Sequence, residues 1–147
     1  MATKVLAAID GSDHASKTLD FAIEFTRRYA GDLHLLYVAP DQSPPDALLE
    51  YARAEHIQDT ASAVYSAIGD SLLRRAEDRA MEAELETVSH SMEFGDAAAG
   101  IIDYARRHAI DVIVMGPRGL GELEGLLLGS VSMKVQSLAP CTCICVR

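Results

Sequence analysis

The sequence predicts an α/β fold in which a doubly wound, five-stranded parallel sheet carries helices on both faces. Short apolar runs alternate regularly with helical patterns along the chain, and most of these runs are apolar almost throughout. Strands that are continuously apolar are buried on both faces, and strands that alternate with helices form parallel sheets. One run is more polar than the others, which is typical of an edge strand.

The first two strands flank a helix. Residues 5–9 and 33–38 are short apolar runs and predict buried strands. Between them, apolar residues repeat at helical spacing, and Ser12 or Asp13 can cap the start of this helix. Gly31 is predicted to end it, because glycine often follows the last turn of a helix.

The middle of the chain is helical and leads to the polar strand. Residues 46–79 predict a helix in two pieces, with Gly69 as the weak point. Residues 85–92 predict the third strand, and their interspersed polar side chains favour the edge position.

The last third of the chain repeats the strand and helix alternation. Asp96 caps a helix with apolar residues at helical spacing. Residues 112–115 predict the fourth strand, residues 129–138 the last helix and residues 142–146 the fifth strand.

Length and composition fit one globular domain over residues 1–147. The chain carries 22 acidic residues against 13 Lys and Arg, a net charge of −9, which repels nucleic acid and anionic lipid. No apolar run approaches the ~18 residues of a membrane span, and the start lacks a secretion-signal pattern. We therefore expect a cytoplasmic protein.

A glycine-bearing loop follows the fourth strand and leads into the last helix. Gly116, Gly119 and Gly129-Ser130 have the spacing G-x2-G-x9-G-S. Glycines let the backbone approach a ligand, and a helix start offers N–H groups and a positive dipole end to an anion. The loop is neither a P-loop nor a GxGxxG fingerprint. It predicts a polyphosphate site, while the alternative is a flexible connector with Ser130 as a helix cap.

The same pattern resembles the ATP-binding signature of the universal stress protein family. Residues 5–12, 35–38, 127–132 and 139–141 also resemble that family's strands and closing helix. The resemblance covers nearly the whole chain apart from residues 41–79. It implies a Rossmann-like sheet in the order 3-2-1-4-5, ATP as ligand, a stress-survival role and dimers.

In such sheets ligands bind where the strand order reverses, here between strands one and four. The resemblance and the loop together nominate the cofactor-binding residues Ala8, Asp10, Val38, Met115, Gly116, Arg118, Gly119, Gly129, Ser130, Val131 and Ser132.

These residues have distinct expected roles. Backbone N–H groups of the glycine loop and the helix start, with the Ser130 hydroxyl, should hold the phosphates, accompanied by Mg2+. Asp10 should meet the ribose or adenine end, unless it only caps the first helix or satisfies its own turn. Val38 should contact adenine. Arg118 is either a phosphate ligand or a solvated loop charge, and Pro117 removes one loop N–H.

No catalytic constellation stands out among the five scattered histidines. The leading hypothesis is therefore an ATP-binding regulatory protein. The first alternative is a slow ATPase or nucleotidyl transferase on the same scaffold, although no general base is evident. The second is a dimeric scaffold that binds no nucleotide.

Three cysteines lie in or directly before the last strand. Cys141, Cys143 and Cys145 alternate with other residues and therefore share one face, where same-strand neighbours are poorly placed to bridge each other. They could bind a soft metal or sense oxidants, but the favoured interpretation is that they pack as small apolar residues. If this strand is an edge, it lacks guarding lysine or proline and predicts a homodimer.

Overall fold

The computed structural model describes residues 1–12, 15–58, 60–117 and 128–147. The strands in these ranges are β1 (Lys4–Ala8), β2 (Asp32–Ala39), β3 (Val88–Phe94), β4 (Val112–Met115) and β5 (Thr142–Cys145). The helices in these ranges are α1 (Ala15–Arg28), α2 (Asp46–Ala54), α3 (Ala61–Glu82), α4 (Ala97–Arg107) and α5 (Ser130–Leu138). All strand pairs are parallel, and the order β3-β2-β1-β4-β5 confirms the expected fold.

The sheet separates two apolar cores. Helices α1 and α3 cover one face, and α4 and α5 cover the other. All four residues of β4 are buried, as its continuous apolar sequence predicts. No helix of the described residues has the length and apolar character to cross a membrane.

The third strand lies at the predicted edge but begins later than expected. It pairs with β2 from Leu33 opposite Val88 to Ala39 opposite Phe94. The preceding turn contains Glu84 in the left-handed region, with φ at 61°. The expected range of 85–92 therefore began in the short segment between this turn and the strand, because residues 84–87 contain no glycine or proline to mark the boundary.

The long helical stretch is divided at a different place from the one predicted. The break lies between α2 and α3, and the side chain of Thr60 caps α3 by accepting a hydrogen bond from the Ala63 N–H at 3.2 Å. Gly69 lies inside α3 and is buried. A Cβ atom there would lie 2.7 Å from Cδ1 of Tyr37, so this glycine serves close packing against the sheet and does not break the helix.

The end of α1 also differs from the expectation. Ala30, not Gly31, adopts the left-handed conformation, with φ at 47°. The N–H of Gly31 donates to the carbonyl of Thr26 at 2.9 Å. A Cβ atom on Gly31 would lie 2.3 Å from the carbonyl oxygen of Thr3, so the glycine is required by the close approach of the chain beside β1. At α4 the prediction is confirmed, since the Asp96 side chain accepts from the Ala99 N–H at 2.9 Å.

A polar aromatic cluster packs between β2 and α4. Nδ1 of His34 lies 3.1 Å from the hydroxyl of Tyr104, and the Tyr104 ring stacks on His108 with centroids 4.0 Å apart. Burial lowers the pKa of His34, and His108 and Lys4 lower it further. His34 is thus a hydrogen-bonded histidine that packs against the aromatic ring of Tyr104.

Candidate functional site

A cleft opens beyond the carboxyl ends of β1 and β4, where the strand order reverses. It contains about 620 Å³ of empty space, part of which is open to solvent. Predicted site residues from four separate segments line it, namely Ala8, Asp10, Val38, Met115, Gly116, Val131 and Ser132. The position agrees with the general location of ligands in open parallel sheets.

The start of α5 forms one side of this region. Gly129 is the residue before the helix, is buried, and has φ −81° and ψ 170°, which any residue can adopt. Its N–H donates to the carbonyl of Pro117 at 2.6 Å, and its own carbonyl accepts from Met133. The N–H groups of Val131 and Ser132 precede this first intrahelical donor and belong to the turn that can receive an anion.

The other residues predicted to hold the phosphates fall into two groups. Gly129 and Ser130 adjoin the cleft through Val131 but are not among its lining residues. Arg118 and Gly119 lie outside the described residues. Pro117 supplies no N–H, yet its carbonyl connects the loop to the start of α5.

Ser132 ties α5 to the end of β4. Its side chain is buried, and its hydroxyl donates to the carbonyl of Gly116 at 2.8 Å. This bond fixes the distance between the strand end and the first helical turn, which are the two sides of the expected phosphate region. The sequence nominated Ser132 for its N–H and gave no signal for this hydroxyl bond, because the partner is distant in sequence.

Asp10 supplies the negative charge of the cleft. One carboxylate oxygen accepts a hydrogen bond from the N–H of Ser12 at 2.8 Å, so the residue does satisfy its own turn. The second carboxylate oxygen has further acceptor capacity. Among the described lining residues Asp10 is the only one with an ionisable side chain, so a bound polyphosphate would need a compensating positive charge nearby.

Helix α4 closes the apolar end of the cleft. Ala97 and Ile101 line it together with Leu36 and Val38. Gly100 permits this arrangement, since a Cβ atom there would lie 3.0 Å from Cγ2 of Val38. The sequence identified Ile101 only as part of the apolar stripe of a helix; its place in the cleft depends on how α4 packs.

Thr18 adds a polar group to the cleft wall that the sequence did not indicate. It lies on α1, its exposed fraction is 3%, and it lines the cleft. Within the described part of the chain, its hydroxyl has no hydrogen-bond partner. By contrast, the hydroxyl of Thr26 on the same helix donates to the Ala22 carbonyl at 2.7 Å.

The cysteines in and directly before β5 lie apart from the cleft lining. All three are free and half-buried, and Cys141 and Cys143 pack against the core beneath α4 and α5. Burial raises the pKa of each thiol, which favours the protonated form. Among the described residues, no group of three or more metal-ligating side chains is placed to hold a metal ion.

Comparison with known proteins agrees with this fold. The family model described as "Universal stress protein family" matches residues 1–147. The chain therefore belongs to the universal stress protein family. It is 32% identical over 152 residues to Universal stress protein YxiE of Bacillus subtilis, with 100% of both chains covered.

Solved structures of the family superpose over nearly the whole chain. The universal stress protein UspA of Lactobacillus plantarum gives a TM-score of 0.80 at 26% identity, covering 99% of this chain and 97% of that one. A universal stress protein in complex with cAMP gives 0.73 at 24% identity, with 99% and 97% covered. A family protein of Arabidopsis thaliana with AMP bound gives 0.69 at 20% identity, with 98% and 90% covered. Nucleotide binding is therefore seen in structural relatives.

Proposed function

We propose that residues 1–147 form a single nucleotide-binding domain that binds ATP with Mg2+ and acts as a regulatory protein in stress survival. The observation that carries this proposal is the cleft at the reversal of strand order, where segments 8–10, 38, 115–116 and 131–132 converge. Binding of cAMP and AMP by solved relatives supports an adenine nucleotide as the ligand.

The two ends of the cleft suit the two ends of a nucleotide. Val38, Met115 and Ile101 offer an apolar slot of the kind that takes a purine ring, and Asp10 offers acceptors to ribose hydroxyls. The start of α5 offers backbone N–H groups and the positive end of its dipole to the phosphates. The phosphate end of the proposed ligand therefore lies at the start of α5.

The residues present also fit a magnesium ion that arrives with the phosphates. Mg2+ usually keeps several waters and uses one or two carboxylates together with phosphate oxygens. Asp10 is the carboxylate available in the described cleft lining, and its charge opposes an anionic ligand unless a cation lies between them. The ion would supply that charge, and Asp10 would hold it directly or through water.

Titration calorimetry tests the proposal. We expect saturable binding of ATP that strengthens when Mg2+ is present, with AMP and cAMP as comparison ligands. Absence of heat and of thermal stabilisation at millimolar ATP would exclude the ATP proposal, and binding of AMP or cAMP alone would replace ATP by that nucleotide. No binding of any of the three would favour the nucleotide-free scaffold.

A substitution at the start of α5 locates the phosphates. Gly129→Val adds a branched side chain at a buried position whose backbone angles valine tolerates, so the fold should persist while phosphate approach is blocked. The matched control is Ala139→Val at the other end of α5, where φ −65° and ψ 145° also suit valine. Equal ATP affinity of the two variants would place the phosphates elsewhere.

We expect little or no ATP turnover. In the described cleft lining Asp10 is the one side chain that could act as a general base, and one of its oxygens already accepts from Ser12. Phosphate release should therefore stay slow under saturating ATP. Multiple turnover that is lost on Asp10→Asn would instead support the ATPase alternative.

The proposed functional unit is a homodimer joined through β5. This strand ends the sheet on one side, and residues 142–145 contain no lysine or proline to discourage pairing. Antiparallel pairing of two copies would satisfy the outward backbone groups and give a closed two-fold contact.

A further inference from the structure

The backbone of β5 divides into groups that face the sheet and groups that face outwards. The N–H of Val146 donates to the carbonyl of Met115 at 2.8 Å, so even-numbered residues direct their backbone groups to β4. Because successive residues of a strand alternate, Cys143 and Cys145 direct theirs to the open edge. A second strand would therefore bond to the odd-numbered residues, which include every cysteine of the chain.

Two-fold symmetry then restricts which residues can face each other. Two identical strands pair antiparallel when the symmetry axis is perpendicular to the sheet, and such an axis keeps each side chain on its own face. An odd-numbered residue must therefore lie opposite an odd-numbered residue of the second copy. Cysteine occupies positions 141, 143 and 145, so a contact centred on any residue from 141 to 145 places at least one cysteine opposite a cysteine.

We propose that the cysteines in and directly before β5 (Cys141, Cys143 and Cys145) form a reversible disulfide between two copies of this chain when the dimer meets a peroxide. This inference rests on the proposed β5 dimer and adds to it a covalent, redox-controlled link. Same-strand cysteines do not compete, because their side chains run parallel and their Cα atoms lie roughly 6.6 Å apart, near the outer limit for a disulfide.

The distances of an antiparallel pair favour a reducible bond. Residues that exchange backbone hydrogen bonds have Cα atoms about 5.5 Å apart, inside the disulfide range of about 4.4–6.8 Å. Their Cβ atoms lie about 4.5–5.5 Å apart, which is wider than the roughly 3.8 Å of a relaxed disulfide. The strands must draw together slightly, and a strained disulfide is more easily reduced.

The chemistry needs only hydrogen peroxide as oxidant. A thiolate of one copy attacks a peroxide oxygen, which gives a sulfenic acid and releases water after protonation. The facing thiol of the second copy attacks that sulfur, the S–S bond forms, and a second water leaves with the thiol proton. Two thiols and one peroxide thus give one disulfide and two waters.

The thiol environment sets the speed of this reaction. Burial raises the pKa of all three thiols, so the attacking thiolate is scarce at neutral pH. At Cys145 the charge of Arg147 offsets part of this effect, whereas at Cys141 the charge of Asp111 adds to it.

The experiment treats the full-length chain with hydrogen peroxide and separates covalent from non-covalent association. Light scattering under reducing conditions gives the mass of the untreated protein. Non-reducing electrophoresis and mass spectrometry of peptides then identify any disulfide. The first control is a cysteine-free variant (Cys141→Ala, Cys143→Ala, Cys145→Ala). The second control introduces Ser89→Cys into that cysteine-free variant, which places its one cysteine at an exposed position on the opposite edge strand β3.

We expect a dimer before treatment and a covalent dimer joined through residues 141–145 after treatment, which dithiothreitol reverses. Paired thiols have an effective concentration on the order of millimolar, so at ~10 µM protein the link should form roughly a hundredfold faster than the collisional link of the Ser89→Cys control. The cysteine-free variant should remain a dimer without a covalent link.

The other outcomes contradict the inference in distinguishable ways. A dimer whose cysteines oxidise singly or stay reduced would overturn the disulfide and leave the β5 dimer standing. A monomer under reducing conditions would overturn the dimer and the disulfide with it. A link as fast through Ser89→Cys as through the native cysteines would move the contact to the β3 edge and overturn the pairing described above.

Discussion

The hydrogen bond between Ser132 and Gly116 gives a quantitative test of how the cleft is held. Ser132→Ala removes a buried hydroxyl that donates to the Gly116 carbonyl at 2.8 Å across 16 positions of sequence. Leaving a buried acceptor without its partner costs about 1–3 kcal/mol. Gly116 is only half-buried, so water can replace part of the lost bond and the lower end of that range applies.

A second serine of the same helix supplies a matched control. The hydroxyl of Ser137 also donates at 2.8 Å, but to the Met133 carbonyl of its own helix and at an exposed position. Both serine-to-alanine changes gain similar helix propensity, at most ~0.5 kcal/mol, so the difference between them isolates the long-range bond. We expect Ser137→Ala to stay within about 0.5 kcal/mol of the parent.

Urea unfolding followed by circular dichroism measures both variants. Ser132→Ala should lower the free energy of unfolding by about 1 kcal/mol relative to Ser137→Ala, or the melting temperature by roughly 2–4 °C. ATP affinity should fall by up to about tenfold, because the strand end and the helix start are no longer held together. Equal unfolding free energies of the two variants would show that this bond does not hold the cleft.

Four further predictions concern the scaffold and the assembly. Gly31→Ala should destabilise the fold by about 1–3 kcal/mol because the added Cβ meets a backbone carbonyl. Ala30→Gly should stabilise the fold by about 0.5–1 kcal/mol because glycine adopts the left-handed conformation without strain. Unfolding curves measure both variants, and equal effects would refute the conclusion that residue 31, and not residue 30, requires glycine. The lowered pKa of His34 means that the folded state disfavours the protonated imidazole, so the free energy of unfolding should hold above about pH 6.5 and decline as the pH falls below that value. His34→Gln should flatten this decline in unfolding curves measured from pH 7 to 5. An unchanged slope would show that His34 does not cause the decline. Thr18→Val should raise the melting temperature of the ligand-free protein by removing an unpaired buried hydroxyl and should weaken ATP binding if the ligand uses that hydroxyl; a lower melting temperature would mean that the hydroxyl is already satisfied. Cys143→Pro should convert the dimer into a monomer in light scattering while circular dichroism stays native, because the N–H of residue 143 faces the open edge of the sheet; a dimeric folded variant would place the contact elsewhere.

Much of the fold could be predicted because the relevant signals are local. The apolar runs of β1, β2 and β4 are buried on both faces, and their composition alone indicates this. Asp96 caps α4 through a bond that spans three residues. The strand order is a non-local property, and it was expected from family resemblance and not from periodicity.

Two of the errors, those at Gly31 and Gly69, share one physical cause. Gly31 and Gly69 were both taken for helix-ending or helix-weakening residues, which is the usual local role of glycine. In the structure each one admits a distant part of the chain, at Thr3 and at Tyr37 respectively. A sequence contains the glycine but not the neighbour that requires it.

The candidate site also has a local part that the sequence indicates and a non-local part that it does not. The sequence by itself determined that a strand, a glycine-bearing loop and a helix start follow one another, because this order is written along a continuous segment. Only the tertiary structure decided that Thr18, Leu36 and Ile101 share a cleft with Asp10, and that the Ser132 hydroxyl bonds to Gly116. These contacts join segments that are far apart in sequence, and their geometry follows from how two layers of helices pack against one sheet.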